Sequence, residues 1–246
     1  METIPVRVAS RRALTPNIIE FTLAPVEGGE LPGFTPGAHI TVETPSGAKR
    51  RYSLVNSGAA PTEYVISIKR EAESRGGSAS MHVDATEGAM LAVEPPENDF
   101  PLSESTRYLL IAGGIGVAPI FAMANHLQAQ DKDFSIIYCT RCANDTAYLD
   151  ELTEKFGDRV TVHHDDGDPE RVYDFWDHFA EPQLMHVYCC GPKPLMDEIG
   201  AISGHWPEGR VNFEDFKPVE MVREDDQPFE IELKASGETL TVPDDR

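Results

Sequence analysis

Cysteine is scarce in this sequence, and so is positive charge. Four cysteines occur in 246 residues, at positions 139, 142, 189 and 190. That excludes a disulfide-stapled scaffold, and a chain of this length can bury a core without one. Lysine and arginine number 21 against 42 acidic residues, for a formal net charge of -21. Such a chain repels nucleic acid and anionic membrane. Long apolar runs are missing too. None approaches the roughly 20 residues that span a bilayer. The opening METIPVRVAS lacks the basic-then-apolar order of a secretory signal. These absences leave a cytoplasmic globular protein of one large or two compact domains as the expectation.

The basic residues that do occur are clustered. Six of the nine that precede position 101 fall between Lys49 and Arg75. In an acidic background this reads either as a site for a small anionic ligand or as a solvated basic face. The cysteines invite a zinc reading, because Cys139 and Cys142 have ligand spacing. Adjacent residues such as Cys189 and Cys190 suit one tetrahedral metal poorly. Both groups end strand-like runs, so they are read as core thiols on neighbouring strands, and no metal site is expected.

Two rhythms divide the chain. Up to about residue 102, short alternating runs recur at 4–10, 18–25, 38–44, 51–56, 64–70 and 90–96, separated by Gly, Pro and Asn. That pattern predicts an antiparallel β-barrel or sandwich, with one short helix at 77–85. From Tyr108 onward, strands and helices alternate. Strands are predicted at 108–113, 134–140, 160–164, 186–191 and 210–216, and helices at 118–130, 148–156, 172–179 and 194–203. This is the signature of a parallel, doubly wound α/β sheet. Residues 229–246 then read as a β-hairpin turning at Ser236-Gly237. A lone hairpin is marginal in water. It is therefore expected to begin a third domain that is cut short.

Several stretches carry chemistry. Gly113-Gly114-Ile115-Gly116 closes an apolar strand and opens a helix. Glycines there let backbone approach a phosphate at a helix N-terminus. Pro119, in the first turn of that helix, gives up an N–H that had no partner anyway. The missing third glycine of a dinucleotide fingerprint argues against the usual tight helix–strand packing. Cys190-Gly191-Pro192 makes a second glycine corner after another strand. Two such corners could hold a dinucleotide between them. In the first half, Arg51 and Ser53 share one face of a strand. A guanidinium there can grip a phosphate as a fork, and the hydroxyl can bond a ring nitrogen. The loop from Ser74 to Ser80 adds Arg75, glycine amides and hydroxyls before a helix.

A barrel site followed by a dinucleotide site resembles the ferredoxin–NADP reductase superfamily. The likeness narrows at Arg51-Tyr52-Ser53-Leu54, at Arg75-Gly76-Gly77-Ser78, at residues 163–169, 174–176 and 204–207, and at Cys190-Gly191-Pro192. Together these are similar to phthalate dioxygenase reductase and relatives such as vanillate demethylase reductase. The resemblance covers almost the whole chain. It implies an FMN barrel at 1–102, an NADH-binding α/β domain at 103–222, and at 223–246 a linker and the first hairpin of a plant-type ferredoxin domain.

The resemblance also implies roles. Arg51 and Arg75 would hold the flavin phosphate, with Gly76, Gly77, Ser78 and Ser80. Tyr52 would pack on the flavin beside Leu54, Ser53 would bond near its N5, and Ser67, Ile68 and Lys69 would line the site. Gly114, Gly116 and Pro119 would meet the NADH pyrophosphate, and Thr140 and Arg141 the adenosine side. Cys190, Gly191 and Pro192 would lie near the nicotinamide, and Phe216 would cover the flavin where it enters. The implied activity is hydride transfer from NADH to FMN, then single electrons to a [2Fe-2S] centre. The implied partners are the chain's own ferredoxin domain and a terminal oxygenase of Rieske type, and the implied oligomeric state is a monomer. Since no cysteine follows Cys190, cluster ligands would belong to a continuation of the hairpin. A free-standing flavin reductase and a non-catalytic nucleotide-binding electron-transfer module are the rival readings.

Overall fold

The computed structural model describes residues 3–56, 58–71, 76–216, 229–233 and 238–242. The chain divides into two compact units, Met1–Asp215 and Phe216–Arg246.

The first unit opens with an antiparallel sheet. Its strands are β1 (Ile4–Thr15), β2 (Ile18–Pro25), β3 (His39–Glu43), β4 (Lys49–Ser53) and β5 (Tyr64–Lys69), then helix α1 (Gly77–Asp84) and strand β6 (Met90–Val93). The spatial order is β4-β3-β6-β1-β2-β5. Two register shifts in the β1–β2 ladder bend the long first strand. The sheet curls until its two edges meet, where Leu54 bridges Ile66 and the Val55 N–H donates to the Val65 carbonyl at 2.8 Å. Alternation fills the interior with Val6, Val8, Phe21, Leu23, Ile40, Val42, Ile66 and Ile68, and Met81 of α1 plugs it. Each such side chain contributes about 1.5–3 kcal/mol by leaving water.

The second sheet of this unit is wholly parallel. It comprises β7 (Arg107–Gly113), α2 (Val117–Ala129), β8 (Asp133–Thr140), α3 (Leu149–Phe156), β9 (Val160–His164), α4 (Trp176–Phe179), β10 (His186–Cys190), α5 (Lys193–Ile202) and β11 (Val211–Glu214), with strand order β11-β10-β7-β8-β9. Central β7 is buried from Tyr108 to Gly113, as a strand covered on both faces must be. Tyr108, Leu110 and Ala112 join one apolar layer with α2 and α3. Leu109 and Ile111 join the other, with Phe179 of α4 and Ile199 of α5.

Two expectations need correction. The helix predicted over 172–179 forms only at Trp176–Phe179. Asp174 Oδ1 accepts the Trp176 N–H at 2.9 Å, which starts the helix there and no earlier. The cysteine-bearing strands β8 and β10 are not neighbours, because β7 lies between them.

In the second unit, β12 (Phe229–Leu233) and β13 (Glu238–Val242) pair antiparallel. The Ser236-Gly237 turn lies outside the described residues. No helix among the described residues is long and apolar enough to cross a membrane.

Candidate active site

The parallel sheet reverses its winding between β7 and β10, and such a switch point is where open α/β sheets bind ligands, outside the strand ends. Both glycine corners stand at this point. A Cβ on Gly116 would lie 2.1 Å from the Cys190 carbonyl oxygen, and one on Gly191 2.9 Å from Gly113 Cα. The corners touch backbone to backbone, and only glycine permits it. The close packing that the absent third glycine argued against is thus present, between the turn and β10. Gly114 has φ 52° and a Cβ there would meet nothing within 4 Å. Its carbonyl accepts the Tyr138 hydroxyl at 3.1 Å. Pro119 is buried in the first turn of α2, and Pro192 precedes α5.

The barrel reaches these strand ends through Ser53. Its hydroxyl donates to Glu214 Oε2, at the end of β11, at 3.3 Å. The Cys190 thiol donates weakly to the same oxygen at 3.9 Å. Parallel pairing sets Cys190 opposite Glu214. Burial raises the Glu214 carboxyl to about 7, against the opposing hydrogen bonds from Ser53 and Cys190. Burial, and next the Glu214 charge, hold the Cys190 thiol well above the ordinary thiol range. Cys190 is therefore a neutral thiol and no nucleophile. Glu214 escaped the sequence reading. It lies 161 positions from Ser53, two residues before Phe216, and its pairing with Ser53 and Cys190 is made only by the fold.

The two adjacent arginines part company. Arg50 and Tyr52 face one side of β4, and Arg51 and Ser53 the other. It is Arg50 that lies on the glycine loop, since a Cβ on Gly77 would be 3.0 Å from Arg50 Nε. Arg51 pairs instead with Asp99 at 3.1 Å. Lys49 pairs with Glu94 at 2.7 Å and Lys69 with Glu71 at 3.5 Å, so much of the basic cluster is already neutralised. Gly76 takes φ 94° before α1. Ser78 Oγ accepts the Glu71 N–H at 3.2 Å, and Ser80 Oγ donates to the Gly77 carbonyl at 3.0 Å. Ser67 directs its hydroxyl to Tyr148, and the Ile68 carbonyl lies 2.8 Å from His82 Nε2. Leu54 is buried. Arg75 lies outside the described residues.

At the end of β8, Thr140 Oγ1 meets Thr146 Oγ1 at 2.7 Å and His164 Nδ1 at 2.9 Å. Arg141 is exposed, and its carbonyl accepts the Asp166 N–H at 2.8 Å. Phe216 is exposed and begins the second unit.

Do these residues fit a flavin phosphate and a dinucleotide? Three observations say that they do. The Tyr52 hydroxyl is buried without a hydrogen-bond partner. A glycine loop under an arginine opens α1. A second glycine turn, open at Gly114, opens α2.

A curled antiparallel barrel joined to a doubly wound sheet, with glycine corners at the switch point, is the architecture of a pyridine-nucleotide oxidoreductase. Residues 110–200 match the oxidoreductase NAD-binding domain family. The phthalate 4,5-dioxygenase reductase subunit of Pseudomonas putida is 43% identical over 98% of this chain and 75% of its own. Phthalate dioxygenase reductase of Burkholderia cepacia is 40% identical over 98% of this chain and 76% of its own. The solved structure of a phthalate dioxygenase reductase superposes with a TM-score of 0.85 at 39% identity, covering 99% of this chain and 77% of its own. The chain belongs to the phthalate dioxygenase reductase family.

Proposed function

We propose that this chain is the reductase of an oxygenase or demethylase system acting on aromatic compounds. In this reading residues 1–102 hold FMN, residues 103–222 hold NADH, and residues 223–246 lead into a ferredoxin domain with a [2Fe-2S] centre. The acceptor beyond is a terminal oxygenase of Rieske type, and the protein works as a cytoplasmic monomer. The solved relative transfers electrons from pyridine nucleotides to [2Fe-2S], which supports the order. One observation carries the reading. Ser53 of the barrel and Cys190 of the nucleotide sheet converge on the same Glu214 oxygen.

Flavin supplies the chemistry when bound, taking two electrons from a reduced nicotinamide and releasing them singly. The protein supplies place and electrostatics. Arg50 and the amides that open α1 receive the phosphate, in the role first given to Arg51, with Gly76 and Gly77 leaving room. Tyr52 offers its unpartnered hydroxyl and its ring. Ser53 presents a hydroxyl on the face opposite Tyr52. Gly114 and Gly116 bring α2 amides to the pyrophosphate, and Thr140 and Arg141 receive the adenosine side. Gly191 keeps the corner beside Cys190 low enough for a flat ring. Glu214, poised near neutrality, can hold or release a proton next to Ser53.

The deciding experiment is purification followed by spectroscopy and NADH oxidation with an artificial one-electron acceptor. The expected protein is yellow, and its NADH oxidation rises with added FMN. A colourless protein that turns over no NADH with FMN supplied would overturn the proposal.

A further inference from the structure

Barrel and nucleotide sheet meet around one tyrosine. Tyr148 stands immediately before α3 with φ 59° and ψ 22°, a left-handed conformation that aromatic residues seldom adopt. It is 3% exposed. Its hydroxyl donates to Glu20 Oε2 on β2 at 2.7 Å and hydrogen-bonds Ser67 Oγ on β5. Its ring stacks on Phe121 of α2, with centroids 5.0 Å apart and planes 11° from parallel. The Arg12 guanidinium of β1 lies 5.9 Å from the ring centroid. Arg12 in turn pairs with Glu20 at 3.1 Å and with Glu151 of α3 at 2.5 Å. Ile18 and Val55 of the barrel share an apolar cluster with Val117, Ile120 and Tyr148.

The placement matters for what the two partners carry. Ser67 belongs to the strand of Ile68 and Lys69, read above as lining the flavin site. Phe121 belongs to the helix that opens at Gly114–Gly116, read above as receiving the pyrophosphate. One side chain therefore spans from the flavin strand to the pyrophosphate helix. A buried hydroxyl has few ways to be satisfied, and this one finds both partners across the interface. A strained backbone persists where the surroundings over-determine it, and here three barrel strands and one helix do so.

We propose that Tyr148 is a positioning residue, which sets how closely the nucleotide corner approaches the flavin-bearing strand. The inference rests on the nicotinamide-to-flavin reading above. Hydride transfer falls steeply with misplacement of the reacting rings, whereas the binding contacts of each ring lie elsewhere.

Tyr148→Phe keeps the ring and its stacking and removes the hydroxyl. In that variant the affinity for FMN and the KM for NADH should each stay within about twofold of wild type. Flavin reduction by saturating NADH should slow by about 10-fold. In the cofactor-free variant, amide exchange should quicken in β5 and in residues 143–149, while β10 and β11 keep their protection. Glu20→Gln, which retains an acceptor for the tyrosine, should keep most of the reduction rate, and Glu20→Ala should behave like Tyr148→Phe. An unchanged reduction rate would overturn the proposal. So would a slower rate explained by loss of FMN. If the wild-type protein neither binds FMN nor oxidises NADH, the functional reading fails. The exchange comparison on cofactor-free protein then still decides whether Tyr148 ties the two sheets together.

Discussion

Ser53 of the barrel donates a hydrogen bond of 3.3 Å to Glu214 of the parallel sheet, one of several polar contacts between the two sheets of the first unit. Ser53 ends β4 of the barrel and Glu214 ends β11, at the edge of the parallel sheet. The bond places a half-buried carboxyl at the point where two cofactors are proposed to meet. Cys190 adds a second donor to the same oxygen. Ionisation of this one group therefore bears on stability and on chemistry together.

The pH dependence follows from the sign of the shift. Burial raises the Glu214 carboxyl from 4.5 to about 7. A carboxyl with a raised folded-state pKa destabilises the fold as it ionises. The penalty is absent below the unfolded value, grows as pH climbs toward 7, and is complete above it, at no more than about 3 kcal/mol. Glu214→Gln removes the penalty. Urea unfolding should therefore show wild type losing stability relative to Glu214→Gln between about pH 5 and about pH 8. A difference that stays flat across that window would show that the carboxyl is not desolvated.

The glycine corners make opposite predictions for two neighbouring positions. Gly116 has an ordinary φ of -61°, so alanine there fails only by collision with the Cys190 carbonyl. Forcing the corners apart should destabilise by about 1–3 kcal/mol and raise the KM for NADH about 10-fold. Gly114→Ala meets no atom but must adopt a left-handed backbone, costing about 1–2 kcal/mol, with the corners left in contact. The KM for NADH should rise more in Gly116→Ala than in Gly114→Ala. The reverse order would mean that the corner contact does not shape the nucleotide site.

Much of this arrangement was legible in the chain itself. The run Tyr108-Leu-Leu-Ile-Ala112 could only be a strand covered on both faces, and it is the centre of the sheet. Alternation drew all six barrel strands. What alternation cannot do is say which face of β4 meets the glycine loop. Arg50 and Arg51 are adjacent and chemically identical, and only the folded sheet separates them. Glu214 was invisible for another reason. Its partners come from β4 and β10, and strand order in a crossover sheet is not sequence order. The same blindness made β8 and β10 look like neighbours. The short α4 was misjudged because an Asp174 turn competes with helix over residues 172–175.

Cys139, Cys189 and Cys190 should be inert in the native protein. Burial pushes Cys139 and Cys189 up to about 12, and Cys190 well above its ordinary value. Iodoacetamide at about pH 8 should leave these three unmodified in folded protein, with all four free cysteines reacting after denaturation. Fast native labelling of Cys190, seen by peptide mass spectrometry, would show that reagent reaches an ionised thiol there and would remove the case for a neutral one.

The arginine pair gives the sharpest test of the flavin site. Arg50 lies against Gly77, where a phosphate would meet the amides that open α1. Removing a charge-assisted, forked contact to phosphate costs about 1.5–3 kcal/mol, or about 10- to 100-fold in affinity. Arg50→Ala should therefore weaken FMN by that factor and leave riboflavin, which lacks the phosphate, nearly unaffected. Arg51 holds an exposed ion pair with Asp99, a type of contact worth about 1 kcal/mol or less. Arg51→Ala should bind FMN within about fivefold of wild type. Fluorescence titration with both flavins separates the two residues. If Arg51→Ala loses FMN while Arg50→Ala keeps it, the phosphate lies on the Ser53 face of β4, and the loop before α1 is only a structural turn.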